Sequence, residues 1–398
     1  MGHAIKLDNG YTVTTIDNIN DIDGIFPLFE ENISNINVDK DFYLNTIKSL
    51  VTARPYIMLF KKENRPNIVL IGRLEIYRIP IKFGYFKIYS PKINSLRILS
   101  GGILGEINNI NSEIIINYML SLMKKYVADI IYFEYISTDS WLYNIASKKQ
   151  NIFFKHHFPH IFNHCAMTIT RDVECIYKKM KSKHKNDIKR SLRKLEKDFP
   201  GKVSIKYFNG QFDMKALLTD VECISKTTYQ RGLGVGFNRN DNMILERLML
   251  SYKKSWIRGY ILYINDEPVS YWIGSLFRET FYLEYTGYIS IYEKYDVGTN
   301  LFIKMAEDII MNTNCRVIDF CYGDAFYKNW FGDRKYQESS IIIFSTTIVN
   351  LYINTIMTFA DIISKMIQNI LKKFGVLNKV KKLWRNQKKL KGGIVSNK

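Results

Sequence analysis

Short alternating runs of apolar and polar residues recur along the chain, separated by segments with helical spacing. Residues 11–16 predict a first strand. Residues 21–33, with Ile25, Leu28 and Phe29 on one side, predict a helix. A second helix opens at Asp39 and carries Phe42, Leu44, Ile47 and Leu50 up to Pro55. Residues 56–61 and 68–77 are β-rich runs around a polar turn, which is a hairpin signal. Strand-like runs follow at 83–89 and 96–99, and Gly101 with Gly102 predicts a break. Residues 113–126 show helical spacing through Ile116, Met119, Leu120 and Met123. Residues 130–136 predict a buried strand and 140–146 a short helix.

The order then repeats without a close sequence repeat. A strand at 165–170 precedes a long basic helix over 176–199, with Ile176, Met180, Ile188, Leu192 and Leu195 on one stripe. After a strand at 203–208 come helices at 212–229 and 240–254, the latter opened by Asn240 and Asp241. Residues 258–264 and 267–276 form a hairpin through Asn265 and Asp266, and 280–288 adds a third strand. A helix over 300–311 and strands at 317–320 and 340–344 complete the half. Each half runs strand, helices, hairpin, strand, helix, strand, so the expected fold is α/β, with mixed central sheets flanked by helices. The expected boundaries are 1–164, 165–345 and a basic amphipathic helical tail over 346–398.

Composition adds little to this picture, but charge adds more. At 398 residues and 46% hydrophobic content the chain is long enough for two packed domains. Its net charge of +19 is concentrated in two stretches. Residues 176–206 hold twelve Lys and Arg against three acids, and residues 361–398 hold eleven against Asp361 alone. Local basic patches point to phosphate, pyrophosphate or an anionic membrane face. The five cysteines are scattered and odd in number, which disfavours a disulfide scaffold and fits a reducing, cytoplasmic compartment. No apolar leader and no run of eighteen apolar residues is present, so neither a secretory signal nor a membrane span is expected.

Three segments carry candidate chemistry. His156, His157, His160, His164 and Cys165 are metal-ligand types, but Pro159 interrupts any helical face and no carboxylate sits at ligand spacing, so no metal is expected. A strand running into Gly298, Thr299 and Asn300 before a helix suits a pyrophosphate, because free N–H groups and the helix dipole meet there; an ordinary capped helix start fits the same residues. Asp319, at the end of a strand, is followed by Gly323, Asp324, Tyr327 and Lys328. A carboxylate there can take a proton from an attacking amine or hydroxyl, and Lys328 can hold a phosphate; a structural Asp and a surface Lys are the plain alternative. The glycines at 232–236 do not follow a strand, which excludes a dinucleotide fingerprint.

Four features together resemble the BioF2-like, or CelD-type, GNAT acetyltransferases linked to cellulose and exopolysaccharide synthesis. They are the basic helix from Lys181 to Leu195, the hairpin from Tyr260 to Trp272, the loop from Tyr295 to Leu301, and the run from Asp319 through Tyr327 and Lys328. Val297 stands where that family usually has Pro. The last segment, Tyr327 to Gly332, also resembles the Fem-type peptidoglycan aminoacyltransferases, which have two GNAT-like halves. Their longer helical arm has no counterpart beyond residues 176–199, which favours the CelD-type reading. The resemblance implies two tandem GNAT-like domains and acetyl transfer from acetyl-CoA, without a metal, to an amino or hydroxyl group of a nucleotide- or lipid-linked sugar. Gly298, Thr299 and Asn300 would hold the cofactor. Asp319 or Asp324 would be the base, Tyr327 an orienting hydroxyl and Lys328 a phosphate clamp. Nucleic acid is expected only if the donor is charged tRNA.

The tail places Ile356, Ala360, Ile363, Ile367, Ile370 and Phe374 on one helical face, with Asn354, Asp361, Lys365, Gln368 and Lys372 interrupting any span. Such a helix either docks on the protein's own surface or lies on an anionic inner membrane leaflet.

Overall fold

The computed structural model describes residues 4–376 except 8–9, 64, 85, 179 and 324. The chain forms two compact units, one of residues 1–162 with 337–376 and the other built on 163–336. The first unit therefore regains the chain after the second is complete, whereas the sequence suggested a simple succession of domains.

In the first unit the elements run β1 (Ala4–Lys6), β2 (Tyr11–Ile16), α1 (Ile22–Ile25), α2 (Lys40–Ser49), β3 (Arg54–Lys62), β4 (Arg65–Arg78), β5 (Ile81–Phe83), β6 (Phe86–Tyr89), β7 (Lys92–Leu104), α3 (Asn109–Lys124), β8 (Ile130–Ser137) and α4 (Trp141–Lys148). The expected helix over 21–33 is instead α1 and three short 3-10 turns, one of them holding Pro27. Gly101 and Gly102 lie inside β7 and do not end it.

The second unit contains β9 (Ile161–Thr168), α5 (Glu174–Lys178), α6 (Ser182–Asp198), β10 (Val203–Phe208), α7 (Met214–Ser225), α8 (Tyr229–Gly232), α9 (Asn242–Lys253), β11 (Ile257–Ile264), β12 (Glu267–Phe277), β13 (Thr280–Tyr288), α10 (Val297–Asn312), β14 (Val317–Tyr322) and α11 (Phe326–Phe331). The single basic helix of the sequence reading is two helices, α5 and α6. Lys181 is extended between them and Met180 is buried. The chain then continues through β15 (Arg334–Phe344) and α12 (Ile348–Lys373).

The strands of the first unit lie in the order β1-β2-β3-β4-β7-β8-β15, and those of the second in the order β9-β14-β13-β12-β11-β10. Alternation sorts their side chains between two faces. In β15, Ile341 and Ile343 join the core under α3 and α4, while Ile342 and Phe344 join a cluster with Ile353, Met357 and Ala360 of α12. In the second unit one face packs on α6 and α10 through residues such as Phe281, Leu283 and Phe302. The other packs on α7 and α9 through Leu217, Val221, Leu248 and Ile273.

Both units contain a parallel strand pair joined through a helix. In the first, β7 and β8 pair from Ser95 to Ile98 with Ile130 to Phe133. In the second, β13 and β14 pair only over Thr280 to Tyr282 with Val317 to Asp319. Beyond Tyr282, β13 runs on to Tyr288 without that partner, which leaves a fork between the two strands.

Candidate active site

The fork of the second unit gathers most of the expected residues. On β13 the register with β12 slips, so that Gly274 opposes Leu283 while Ile273 opposes Tyr285. Glu284 is the extra residue of a bulge, and a bulged residue leaves its backbone groups outside the ladder. Gly274 is required here, because a Cβ would come within 2.3 Å of the Tyr282 carbonyl oxygen. The Glu284 carboxylate accepts from Arg247 at 3.3 Å and from Ser275 at 3.1 Å through Oε1, while its Oε2 is buried with no hydrogen-bond partner. No motif in the sequence marks Glu284, since its role depends on a register slip.

On the facing strand, Asp319 is buried, and its Oδ1 lies 2.7 Å from His164 Nε2 and accepts the Cys321 N–H at 2.7 Å. Cys321 has φ +54°, a left-handed conformation uncommon for a residue with a side chain, directly at the point where β14 leaves β13. Burial pushes its thiol far above the ordinary value, so it is a protonated thiol and not a nucleophile. The His164 ring lies against Tyr322 and Tyr336, at 4.8 and 4.5 Å between centroids.

Lys328 is 6% exposed. Its ammonium donates to the carbonyls of Cys321 at 3.1 Å and Tyr322 at 2.6 Å. The alternative of a surface Lys gives way to a buried charge that holds the turned end of β14 from α11. A buried ammonium needs acceptors, and here the main chain supplies them. Tyr327 packs its ring on Trp272, Phe302 and Phe320, and burial raises its hydroxyl well above the usual tyrosine range. Asp324 lies outside the described residues.

The expected cofactor residues sit in the first turn of α10, because the helix begins three residues earlier than expected, at Val297. Asp296 precedes it at φ +48°, and its side chain makes no capping hydrogen bond. The first N–H groups of a helix have no acceptor within it. A Cβ at Gly298 would meet only Tyr288 Cδ1 at 3.5 Å, so the space beside it is open. Burial is the main cause pushing the Asp296 carboxyl above the ordinary carboxylate range. Asn300 faces the other way. It is buried and donates to the Tyr295 carbonyl at 2.8 Å and to Ser191 Oγ of α6 at 3.4 Å, so it shapes the turn. Lys194 of α6 stands 5.5 Å from the Tyr295 ring centroid, which brings the basic helix beside the start of α10.

Trp272 links the two groups. Its Nε1–H donates to the Gly298 carbonyl at 2.9 Å, and its ring meets Tyr327 edge-on at 5.1 Å. The corresponding helix of the first unit is closed differently. The Asn108 side chain accepts from the Asn111 N–H at 3.0 Å, and Asn111 Oδ1 accepts from the Asn108 N–H at 2.8 Å, a reciprocal cap. Two Arg and two Glu (Arg73, Arg97, Glu75, Glu134) are cross-linked on β4, β7 and β8 of the first unit.

The connector histidines turn to separate partners. His156 Nδ1 accepts the Ile342 N–H and His157 Nε2 bonds the Ile152 carbonyl. Among the described residues no three His, Cys, Asp or Glu side chains group so as to hold a metal ion. The glycine-rich segment after α8 is pinned by Arg231, which forms two bonds to the Glu222 carboxylate at 3.0 and 3.1 Å.

No curated protein sequence matches the chain. The crystal structure of FemX is similar over 85% of this chain and 99% of its own, at 10% identity and a TM-score of 0.54. A tandem GNAT protein from the clavulanic acid biosynthesis pathway is similar over 84% and 99%, at 9% identity and a TM-score of 0.45. L-PGS from Bacillus licheniformis is similar over 86% and 98%, at 12% identity and a TM-score of 0.44. The chain thus shares the fold of FemX. Residues 182–329, which carry the fork, the start of α10 and Lys328, match the acetyltransferase (GNAT) domain family.

Proposed function

We propose that the second unit transfers an acyl group, most simply acetyl from acetyl-CoA, to an amino or hydroxyl group of a nucleotide- or lipid-linked sugar acceptor, in the manner of the CelD-type enzymes of cell-surface polysaccharide synthesis. One observation carries this reading. Of the two helices that join parallel strands, α3 closes its first turn with a reciprocal side-chain cap, whereas α10 leaves its first N–H groups uncapped beside an open fork. Those N–H groups suit a pyrophosphate, with the basic face of α6 adding attraction.

Bound acyl-CoA would supply the activated carbonyl. The chain's own residues would do the rest. The bulge at Glu284 offers backbone groups to an acyl oxygen in the fork. Asp319, oriented by His164, takes the proton of the attacking amine or hydroxyl, with Glu284 as the other carboxylate within the fork. Tyr327, held protonated, can give a proton to the leaving group. Gly298 and Thr299 would face the phosphates, and Asn300 would hold the turn that presents them. Cys321 is protonated and no activated nucleophile accompanies it, so direct attack is favoured over an acyl-enzyme.

The charge on α6 favours a second reading, transfer of an aminoacyl group from charged tRNA. Residues 182–198 hold seven Lys and Arg against three acids, a surface suited to an RNA backbone. Isothermal titration separates the two. Micromolar binding of acetyl-CoA that Gly298→Trp abolishes supports the first. No binding of CoA together with turnover of charged tRNA supports the second. Binding of neither donor would leave a non-catalytic GNAT-like scaffold.

A further inference from the structure

Helix α12 is amphipathic in an unusual sense, because three of its polar side chains, Asn350, Asn354 and Ser364, are buried. Asn350 and Asn354 are 1% and 2% exposed. Asn350 Nδ2 donates to the Asp129 carbonyl at 2.9 Å, and Asn354 Nδ2 donates to the carbonyls of Phe153 and Lys155 at 2.9 and 3.0 Å. Ser364 Oγ accepts the Gly84 N–H at 2.9 Å. These bonds pin the helix to the first unit, with Ile353, Met357 and Ala360 packed between them.

The opposite side is apolar and uncovered. Ile348, Tyr352, Phe359, Met366, Ile370 and Phe374 are 51 to 86% exposed. Their spacing of four and seven residues keeps them on one stripe. Across 26 residues the helix is about 39 Å long. An exposed apolar stripe of this length marks an interaction surface.

Charge identifies what covers it. Lys372 and Lys373 stand in the last turn of α12. Lys82 and Lys87 are exposed on the β5–β6 hairpin, whose turn the Ser364 bond fixes against the helix. Residues 377–398 contain eight further Lys and Arg and no acid. A second copy of the chain, itself +19, would bring like charge to like charge. Among the described residues no helix is long and apolar enough to cross a membrane. We propose that the outer face of α12 lies in the interface of an anionic lipid bilayer, its apolar stripe among the acyl chains and the basic end at Lys372 and Lys373 against the headgroups. The first unit thereby holds the protein at a membrane surface, where a lipid-linked acceptor would reside. The docking is independent of which donor the second unit uses.

Cosedimentation of the full chain with vesicles tests this. The expected result is binding to phosphatidylcholine vesicles containing one quarter phosphatidylglycerol, little binding to pure phosphatidylcholine, and weakening by salt. Phe359→Glu with Met366→Glu should reduce binding at least tenfold while circular dichroism and the melting temperature stay those of the parent. Ile348→Glu, at an 86% exposed site, gives a second variant with no buried contact to lose. Absence of wild-type binding to anionic vesicles would overturn the proposal. Binding that survives all three Glu substitutions would do the same, since charge alone would then explain it. So would a lipid-free dimer that the double variant dissociates, because a second copy would be the occupant.

Discussion

His164 Nε2 lies 2.7 Å from Asp319 Oδ1, so a residue of β9 faces the carboxylate at the last position where β14 pairs with β13. The bond orients the carboxylate where β13 and β14 separate. Asp319→Asn keeps the shape and removes the proton acceptor. Turnover should fall about 100-fold, with the donor KM nearly unchanged and the pH profile flattened. Full turnover in a variant that only melts earlier would make the pair structural.

Lys328 should act on stability before it acts on catalysis. Lys328→Met retains the buried stem but leaves the Cys321 and Tyr322 carbonyls without their donor. Urea unfolding should show a loss of about 2–3 kcal/mol. Asp319→Asn should leave the donor KM unchanged, whereas Lys328→Met should raise it as the end of β14 loosens. A variant of parental stability that loses only acceptor affinity would assign Lys328 the phosphate-clamp role.

The sequence disclosed the elements that depend on local pattern. The hairpin at Asn265 and Asp266 is present, both turn residues being at positive φ, and the helix carrying Leu301 to Ile310 is present with three more residues at its start. Long-range relations were not legible. His164 and Asp319 are 155 positions apart, and only the antiparallel pairing of β9 with β14 brings them together. Glu284 matters through a bulge that no residue type announces. The apolar spacing of the tail cannot say that Asn350 and Asn354 find carbonyl acceptors inward and so turn Ile363, Ile367 and Ile370 out to solvent. The return of residues 337–376 to the first unit likewise depends on tertiary packing, through Ile342 and Phe344.

Acid should loosen the first unit through His156. Burial lowers the pKa of this imidazole from 6.5 to about 4, and its Nδ1 accepts the Ile342 N–H of β15, a bond that protonation at that nitrogen would break. The unfolded chain therefore binds the proton more readily than the folded one. Stability from this group is complete above pH 6.5 and is lost as pH falls toward 4. Between pH 7 and pH 5 the loss should be about 1–2 kcal/mol, allowing for the ring's partial exposure. His156→Phe should remove that part of the acid sensitivity in urea unfolding at the two pH values. An unchanged pH slope would show that other groups control it.

Trp272 couples the start of α10 to Tyr327 of α11. Its N–H fixes the Gly298 carbonyl, and so the direction in which the neighbouring N–H groups of α10 point, while its ring sets the plane of Tyr327. Trp272→Phe keeps an aromatic ring against Phe302 and removes only the donor. A neutral hydrogen bond contributes about 1 kcal/mol, close to a fivefold change in affinity. Titration with acetyl-CoA should show weakening of about that size, and turnover at saturating donor should fall further as Tyr327 loses its fixed neighbour. A variant that binds donor as tightly as the parent but melts several degrees lower would assign Trp272 to the core alone. Equal binding and equal stability would separate the start of α10 from donor recognition altogether.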